Sequence, residues 1–213
     1  MYDKTILFDL DGTLINSTKA IINSFNFAFN NKNNSIPNEN DIKSLIGYTL
    51  EDIFANLGVE HSDIKEYIYL YKQNYQKIYL SQTILLDKVL LALNIAYNFA
   101  DLGVVTTKTS KFSNILLKHL NIYKFFKIII GKEDVKNPKP SAEPIQKALK
   151  LLNKNTKNAF MIGDTHLDLK AAINANITPI ALTCEYGDKN SFKDFTCNIF
   201  DNVFEAVNFI KEI

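Results

Sequence analysis

The stretch Thr5-Ile6-Leu7-Phe8-Asp9-Leu10-Asp11-Gly12-Thr13-Leu14 joins a short apolar run to two acids and a glycine. Thr5 to Phe8 reads as a β-strand, and the acids fall at its carboxyl end. In extended chain, residues two apart project to the same side, so Asp9 and Asp11 are expected to offer both carboxyl groups to one site. Gly12 lets the chain turn tightly just beyond them.

Working outward, four more β-rich runs follow: Leu102 to Thr106, Lys127 to Ile130, Ala159 to Ile162 and Pro179 to Leu182. Helical periodicity fills the gaps at Lys111 to Leu120, Glu143 to Leu152, Leu167 to Asn174 and, last, Val203 to Lys211. Each crossover has the length of a βαβ unit, so the fold class is α/β, a doubly wound parallel sheet. The first gap is the exception, with about 90 residues where a few tens suffice. From Asn16 to roughly Leu85 it reads as helices only, with Ile21, Phe25, Ala28 and Phe29, then Leu50, Ile53, Phe54 and Leu57, at spacings of three and four. The expected organisation is therefore a core of residues 1–15 and 86–213 and an inserted all-helical domain of residues 16–85. Tyr67, Tyr69, Tyr71, Tyr75 and Tyr79 crowd the helical stretch Ile64 to Leu80, where packing between amphipathic helices explains them.

Composition narrows the partners. The 213 residues carry 24 basic and 23 acidic side chains, a net charge of +1, which leaves no basic stripe for nucleic acid or for a membrane surface. Every basic residue among the 24 is lysine, so anions must be met by ammonium groups or backbone amides. Asp3, Lys4, Asp9 and Asp11 do not make a signal-peptide pattern, and Cys184 and Cys197 have neither zinc spacing nor the number for a disulfide framework. The expected location is cytoplasmic. Val89 to Ala100, the longest apolar-leaning run, falls short of the ~20 residues of a membrane span.

Three later segments complete a set. Val104-Val105-Thr106-Thr107-Lys108 places hydroxyls at the end of the second strand. Asn137-Pro138-Lys139-Pro140 fixes a lysine in a proline turn ahead of a helix. Met161-Ile162-Gly163-Asp164-Thr165-His166-Leu167-Asp168 spaces two acids by four, on one face of a helix start, with Asp164 a candidate N-cap. With Asp9-Leu10-Asp11-Gly12-Thr13-Leu14, these segments resemble, in order, the four motifs of the haloacid dehalogenase-like superfamily, whose core is Rossmann-like.

That resemblance implies a phosphatase acting on a small phosphorylated metabolite, phosphoglycolate-like or a sugar phosphate. It makes Asp9 the phosphoryl-accepting nucleophile and Asp11 the acid and base. Thr106 and Lys139, with Thr107 where relatives often carry Asn, become phosphate contacts. Asp9, the backbone carbonyl of Asp11 and Asp164 become Mg²⁺ ligands, with Asp168 behind them. A phosphate dianion would be repelled by ionised Asp9, Asp164 and Asp168 unless Lys139 and a divalent cation offset them, and hard oxygen donors suit Mg²⁺. That balance takes Asp11 as protonated.

The insertion resembles the helical cap of phosphoglycolate phosphatase-like members. Lys43, Gly47 and Tyr48 are its candidate substrate contacts, and Leu14 to Ser17 and Ser81 to Leu86 are its expected flexing points. Thr49 fits equally as a plain helix cap. Glu185-Tyr186-Gly187 is expected to border the site or to be loop. His61 and His119 read as surface residues, and His166 lies within the acidic motif without an assigned role. A β-phosphoglucomutase-like mutase is the alternative reading, with a second phosphate site that missing arginine disfavours. Receiver-like signalling and non-catalytic phosphate binding are the alternatives outside catalysis. The protein is expected to be a monomer or homodimer.

Overall fold

In the computed structural model the described residues are 2–183, 189–196 and 198–213. The chain runs β1 (Lys4–Phe8), β2 (Ile15–Asn16), α1 (Thr18–Asn31), α2 (Glu39–Ser44), α3 (Leu50–Asn56), α4 (Ile64–Ile78) and β3 (Ile84–Leu85). It continues through α5 (Val89–Ala96), β4 (Ala100–Val105), α6 (Ser110–His119), β5 (Ile128–Ile130), α7 (Glu143–Leu151), β6 (Ala159–Gly163) and α8 (His166–Asn174). It ends with β7 (Thr178–Leu182), α9 (Lys189–Phe192), β8 (Ile199–Phe200) and α10 (Val203–Glu212). The segment Glu185-Tyr186-Gly187 and both cysteines lie outside the described residues.

Two compact units emerge, one of residues 1–15 and 85–213 and one of residues 16–84. Leu85 falls with the first. The short strands β2 and β3 pair with each other at the passage from one unit to the other, within both stretches named above as flexing points.

The first unit is an α/β doubly wound sheet of six parallel strands in the order β5-β4-β1-β6-β7-β8. Its central strands are buried along their length, as helices on both faces of a parallel sheet require. Leu7, Val105, Ile130 and Met161 from the strands meet Ile145, Ala148, Leu149, Ala171 and Ala172 from α7 and α8 in one core cluster. The strand order reverses beside β1, where Phe8 stands opposite both Val104 and Ile162. A crevice at the carboxyl ends of strands forms at such a reversal. β8 has only two residues, too few for periodicity to mark. β4 starts two residues ahead of the expected Leu102 because it admits an acid: Asp101 is 1% exposed and accepts from Lys127 at 2.5 Å and Lys154 at 2.9 Å.

The second unit is helical, with α1 packed on α4. Tyr67, Tyr71, Tyr75 and Tyr79 recur every four residues and form one buried stripe, while Tyr69, out of phase, is exposed. Phe25 meets Phe54 and Tyr71 with ring centroids 4.8 Å apart in each case, and Tyr71, Tyr75 and Tyr79 stack in sequence. Four of the five tyrosines are core, as expected, and Tyr69 is the exception. No helix among the described residues is long and apolar enough to cross a membrane.

Burial pushes the Asp101 carboxyl up, but the hydrogen bonds and charges of Lys127 and Lys154 outweigh it and hold it below the usual carboxylate range. Folding therefore gains from this group above the unfolded carboxyl's pKa, and the gain is lost as pH falls through the lower folded value. Asp101→Asn is expected to cost about 1–3 kcal/mol near neutrality. In melts of both proteins, the difference in Tm should narrow as pH is lowered toward about 3.

Candidate active site

Three loops at the carboxyl ends of neighbouring strands build the site: Asp9 follows β1, Thr106 follows β4 and Asp164 follows β6. Asp9 N–H still donates to Ile162 O at 2.9 Å, but beyond it the chain turns. Leu14 and Ile15 both donate to Leu10 O, and Gly12 takes φ 83°, a left-handed conformation that favours glycine. The strand thus ends at Phe8, and a turn presents Asp11, not the strand pleat expected from residue spacing. Asp9 and Asp11 consequently engage different lysines.

Lys139 Nζ donates to Asp9 Oδ1 at 2.7 Å, to Asp168 Oδ1 at 2.5 Å and to Val105 O at 3.1 Å, so its three N–H groups are all engaged. Burial draws the ammonium down in pKa, but Asp168 and Asp9 prevail and hold it above the usual lysine range. The loop that delivers Lys139 is set by Glu143, whose carboxylate accepts from the backbone N–H of Lys136 at 2.8 Å and of Asn137 at 2.9 Å. The Lys139-Pro140 peptide bond is cis.

Asp168 lies in the first turn of α8. Its Oδ2 accepts from Thr165 N at 3.1 Å and Thr165 Oγ1 at 2.7 Å, while Oδ1 serves Lys139. Thr165, not Asp164, is the residue capping this helix; Asp164 lies one residue too early and accepts from Thr13 Oγ1 at 2.7 Å. Gly163 is required by the same packing: a Cβ there would overlap the Asp168 Cβ, Cγ and Oδ2 atoms.

Asp9, Asp164 and Asp168 are buried, and ligand oxygens from all three lie within 4.8 Å of one another. Burial pushes the Asp9 carboxyl up to about 7 against the pull of Lys139, with Asp168 and Asp11 adding to the rise. Burial also lifts Asp164 well above the usual range, and Asp9 and Asp168 lift it further. Asp164 Oδ2 is buried without a hydrogen-bond partner among the described residues. Three carboxyl groups share one ammonium in a buried space, so the cluster is short of positive charge if all three are to ionise together.

Asp11 has its own cation, since Lys108 Nζ stands 3.2 Å from Asp11 Oδ2. The charge balance drawn from the sequence therefore left out one positive charge, that of Lys108. Thr106 is buried, and its Oγ1 accepts from Lys108 N at 3.1 Å; Thr107 is half-buried in the same turn. Thr13, Lys108 and Thr165 were not singled out from sequence, although each stands inside a quoted motif. His166 is half-buried at the start of α8, and burial and Lys170 hold its imidazole below the usual range against the opposing charge of Asp168. His61 and His119 are exposed.

The helical unit holds the remaining candidates. Lys43 pairs with Glu39 at 3.7 Å, Gly47 takes φ 106° and Tyr48 N donates to Leu45 O at 3.1 Å. Thr49 caps α3, its hydroxyl accepting from Asp52 N at 3.3 Å.

The chain belongs to the haloacid dehalogenase-like hydrolases, whose family pattern matches residues 6–182. It is similar to pyrophosphatase PpaX of Bacillus mycoides and of Bacillus cereus, 32% identical over 183 residues in each case. Those matches cover 84% of this chain and 83% and 82% of the relatives. Among solved structures, a haloacid dehalogenase-like family hydrolase from Streptococcus pneumoniae superposes with a TM-score of 0.88 at 27% identity, covering 97% of each chain. A predicted phosphatase from Clostridium acetobutylicum reaches 0.89 at 26% identity over 100% of both chains.

Gly163→Ala is expected to destabilise the fold by about 1–3 kcal/mol by driving the Asp168 carboxyl from its seat. Chemical denaturation of the two proteins measures it, and equal stability would show that Asp168 has room to move.

Proposed function

We propose that the protein is a Mg²⁺-dependent phosphatase that hydrolyses a small phosphorylated metabolite through an aspartyl-phosphate on Asp9. The observation that carries this reading is the buried cluster of Asp9, Asp164 and Asp168, at the carboxyl ends of β1 and β6, in which Lys139 bridges Asp9 and Asp168.

The residues fit a divalent cation. With all three acids ionised and Lys139 counted, the cluster would carry two negative charges, its donors are hard carboxylate oxygens, and Asp164 Oδ2 lacks a partner among the described residues. Asp9 and Asp164 would be its side-chain ligands, with the Asp11 carbonyl as a backbone ligand. Both Asp168 oxygens already serve Lys139 and Thr165, which keeps Asp168 behind the ligands. When bound, Mg²⁺ supplies charge stabilisation for the transferring phosphoryl oxygens.

Asp9 attacks phosphorus in line, the ester bond to the leaving oxygen breaks, and Asp11 delivers its proton to that oxygen. Water then attacks the aspartyl-phosphate, giving its proton to Asp11 and releasing phosphate with Asp9 restored. Lys139 aims Asp9 and contributes positive charge beside the phosphoryl group, and the Thr106 hydroxyl is a hydrogen-bond donor to it. A direct bond from Lys139 to phosphate would replace one of its three present partners.

The helical unit acts as a cap that selects substrate, with Lys43, Gly47 and Tyr48 as its contacts and Thr107 as a further phosphate contact. The curated relatives are named pyrophosphatases, which makes inorganic pyrophosphate the first substrate to assay, beside phosphoglycolate and sugar phosphates.

Asp9→Asn is expected to abolish steady phosphate release from pyrophosphate and p-nitrophenyl phosphate. EDTA should stop the wild-type protein until Mg²⁺ is restored. Turnover that persists in Asp9→Asn would remove Asp9 as nucleophile. Independently of activity, saturating Mg²⁺ should raise Tm by about 5 °C, and Asp164→Asn should erase most of that rise; no rise in the wild-type protein would count against the metal.

A further inference from the structure

The Lys108–Asp11 pair is not used by the mechanism above. Both side chains are only 12% exposed, so this is not a solvated surface contact of negligible worth. The backbone carrying Lys108 is fixed from both sides. Its N–H donates to the buried Thr106 hydroxyl at 3.1 Å, and its carbonyl accepts from Lys132 N at 3.1 Å. The loop also lies so close to Gly131 that a Cβ there would come within 2.8 Å of Lys108 O. The lysine stem therefore starts from a defined point, although lysine is otherwise a flexible side chain.

Asp11 has the opposite difficulty. It sits in a turn outside the strand, and its carboxyl group must address a leaving oxygen with the accuracy that proton transfer demands. We propose that Lys108 is a positioning residue for Asp11, holding the carboxyl group in the rotamer from which it serves the leaving oxygen. Lys139 performs the equivalent task for Asp9, so each acid of the first motif has its own lysine from a separate loop. This assignment rests on the phosphatase reading and adds to it a residue that acts on the acid, not on the phosphoryl group.

A misplaced acid harms esters in proportion to how much their leaving group needs a proton. The test therefore uses a series of substituted phenyl phosphates, from nitrophenyl to methoxyphenyl, with wild type, Lys108→Met, Lys108→Arg, Asp11→Asn and the Lys108→Met/Asp11→Asn double variant. Lys108→Met is expected to lower kcat for the poorest leaving groups by about tenfold or more, and for nitrophenyl phosphate by clearly less. Lys108→Arg should recover part of that loss, and the double variant should be no steeper across the series than Asp11→Asn alone. A uniform loss across the series, or a rise in KM with the slope of kcat intact, overturns the proposal and makes Lys108 a structural or substrate-binding residue.

A crystal structure of Lys108→Met gives a second measurement that needs no turnover. The Asp11 carboxyl group should leave its present rotamer, and one that stays in place without the lysine also overturns the proposal. A wild-type protein that releases phosphate from none of these esters fails the phosphatase reading instead, and the crystal structure then decides the role of Lys108 separately.

Discussion

One ammonium group, buried and saturated, organises the site. Lys139 brings together an acid from the first loop, an acid from the first turn of α8 and a carbonyl from the end of β4, partners that lie up to 130 residues from it in the chain. None of these acids would remain charged in so dry a place alone, because the desolvation of a carboxylate is relieved only by a close partner. The lysine offsets part of that cost, and the uncompensated remainder is the physical ground on which a further cation is proposed.

The sheet explains why these residues can meet. Placing the first strand at the centre puts its carboxyl end beside those of β4 and β6, so three loops converge without any of them being long. At the other end of β4 an acid also meets two lysines, in Asp101, Lys127 and Lys154. That cluster leaves no carboxylate in excess, and it pins the sheet in the way expected of a structural charge pair.

Much of this was legible in the chain. Parallel strands showed themselves as short apolar runs, because burial on both faces removes alternation, and the tyrosine spacing of four in α4 marked a packed stripe. Asp9, Lys139, Asp164 and Asp168 stood out because their neighbours fix the backbone: Gly12, the flanking prolines and Gly163. What remained hidden was which partner each side chain takes. Lys108 to Asp11 and Thr13 to Asp164 are contacts across loops, and no periodicity within a segment encodes them. The cap of α8 misled for a similar reason, since Asp164 and Thr165 are both good capping residues and only the docking of Thr13 separates them. β8 escaped because two residues carry no pattern.

Asp168 holds one oxygen toward the ammonium and the other toward the amide and hydroxyl of Thr165. The first turn of α8 and the seat of Lys139 are thus fastened by a single carboxyl group. Fraying of that turn and release of the lysine become one opening event, governed by the local cooperativity that amide exchange detects in other proteins. The protein cannot loosen this helix start and keep its charge centre assembled.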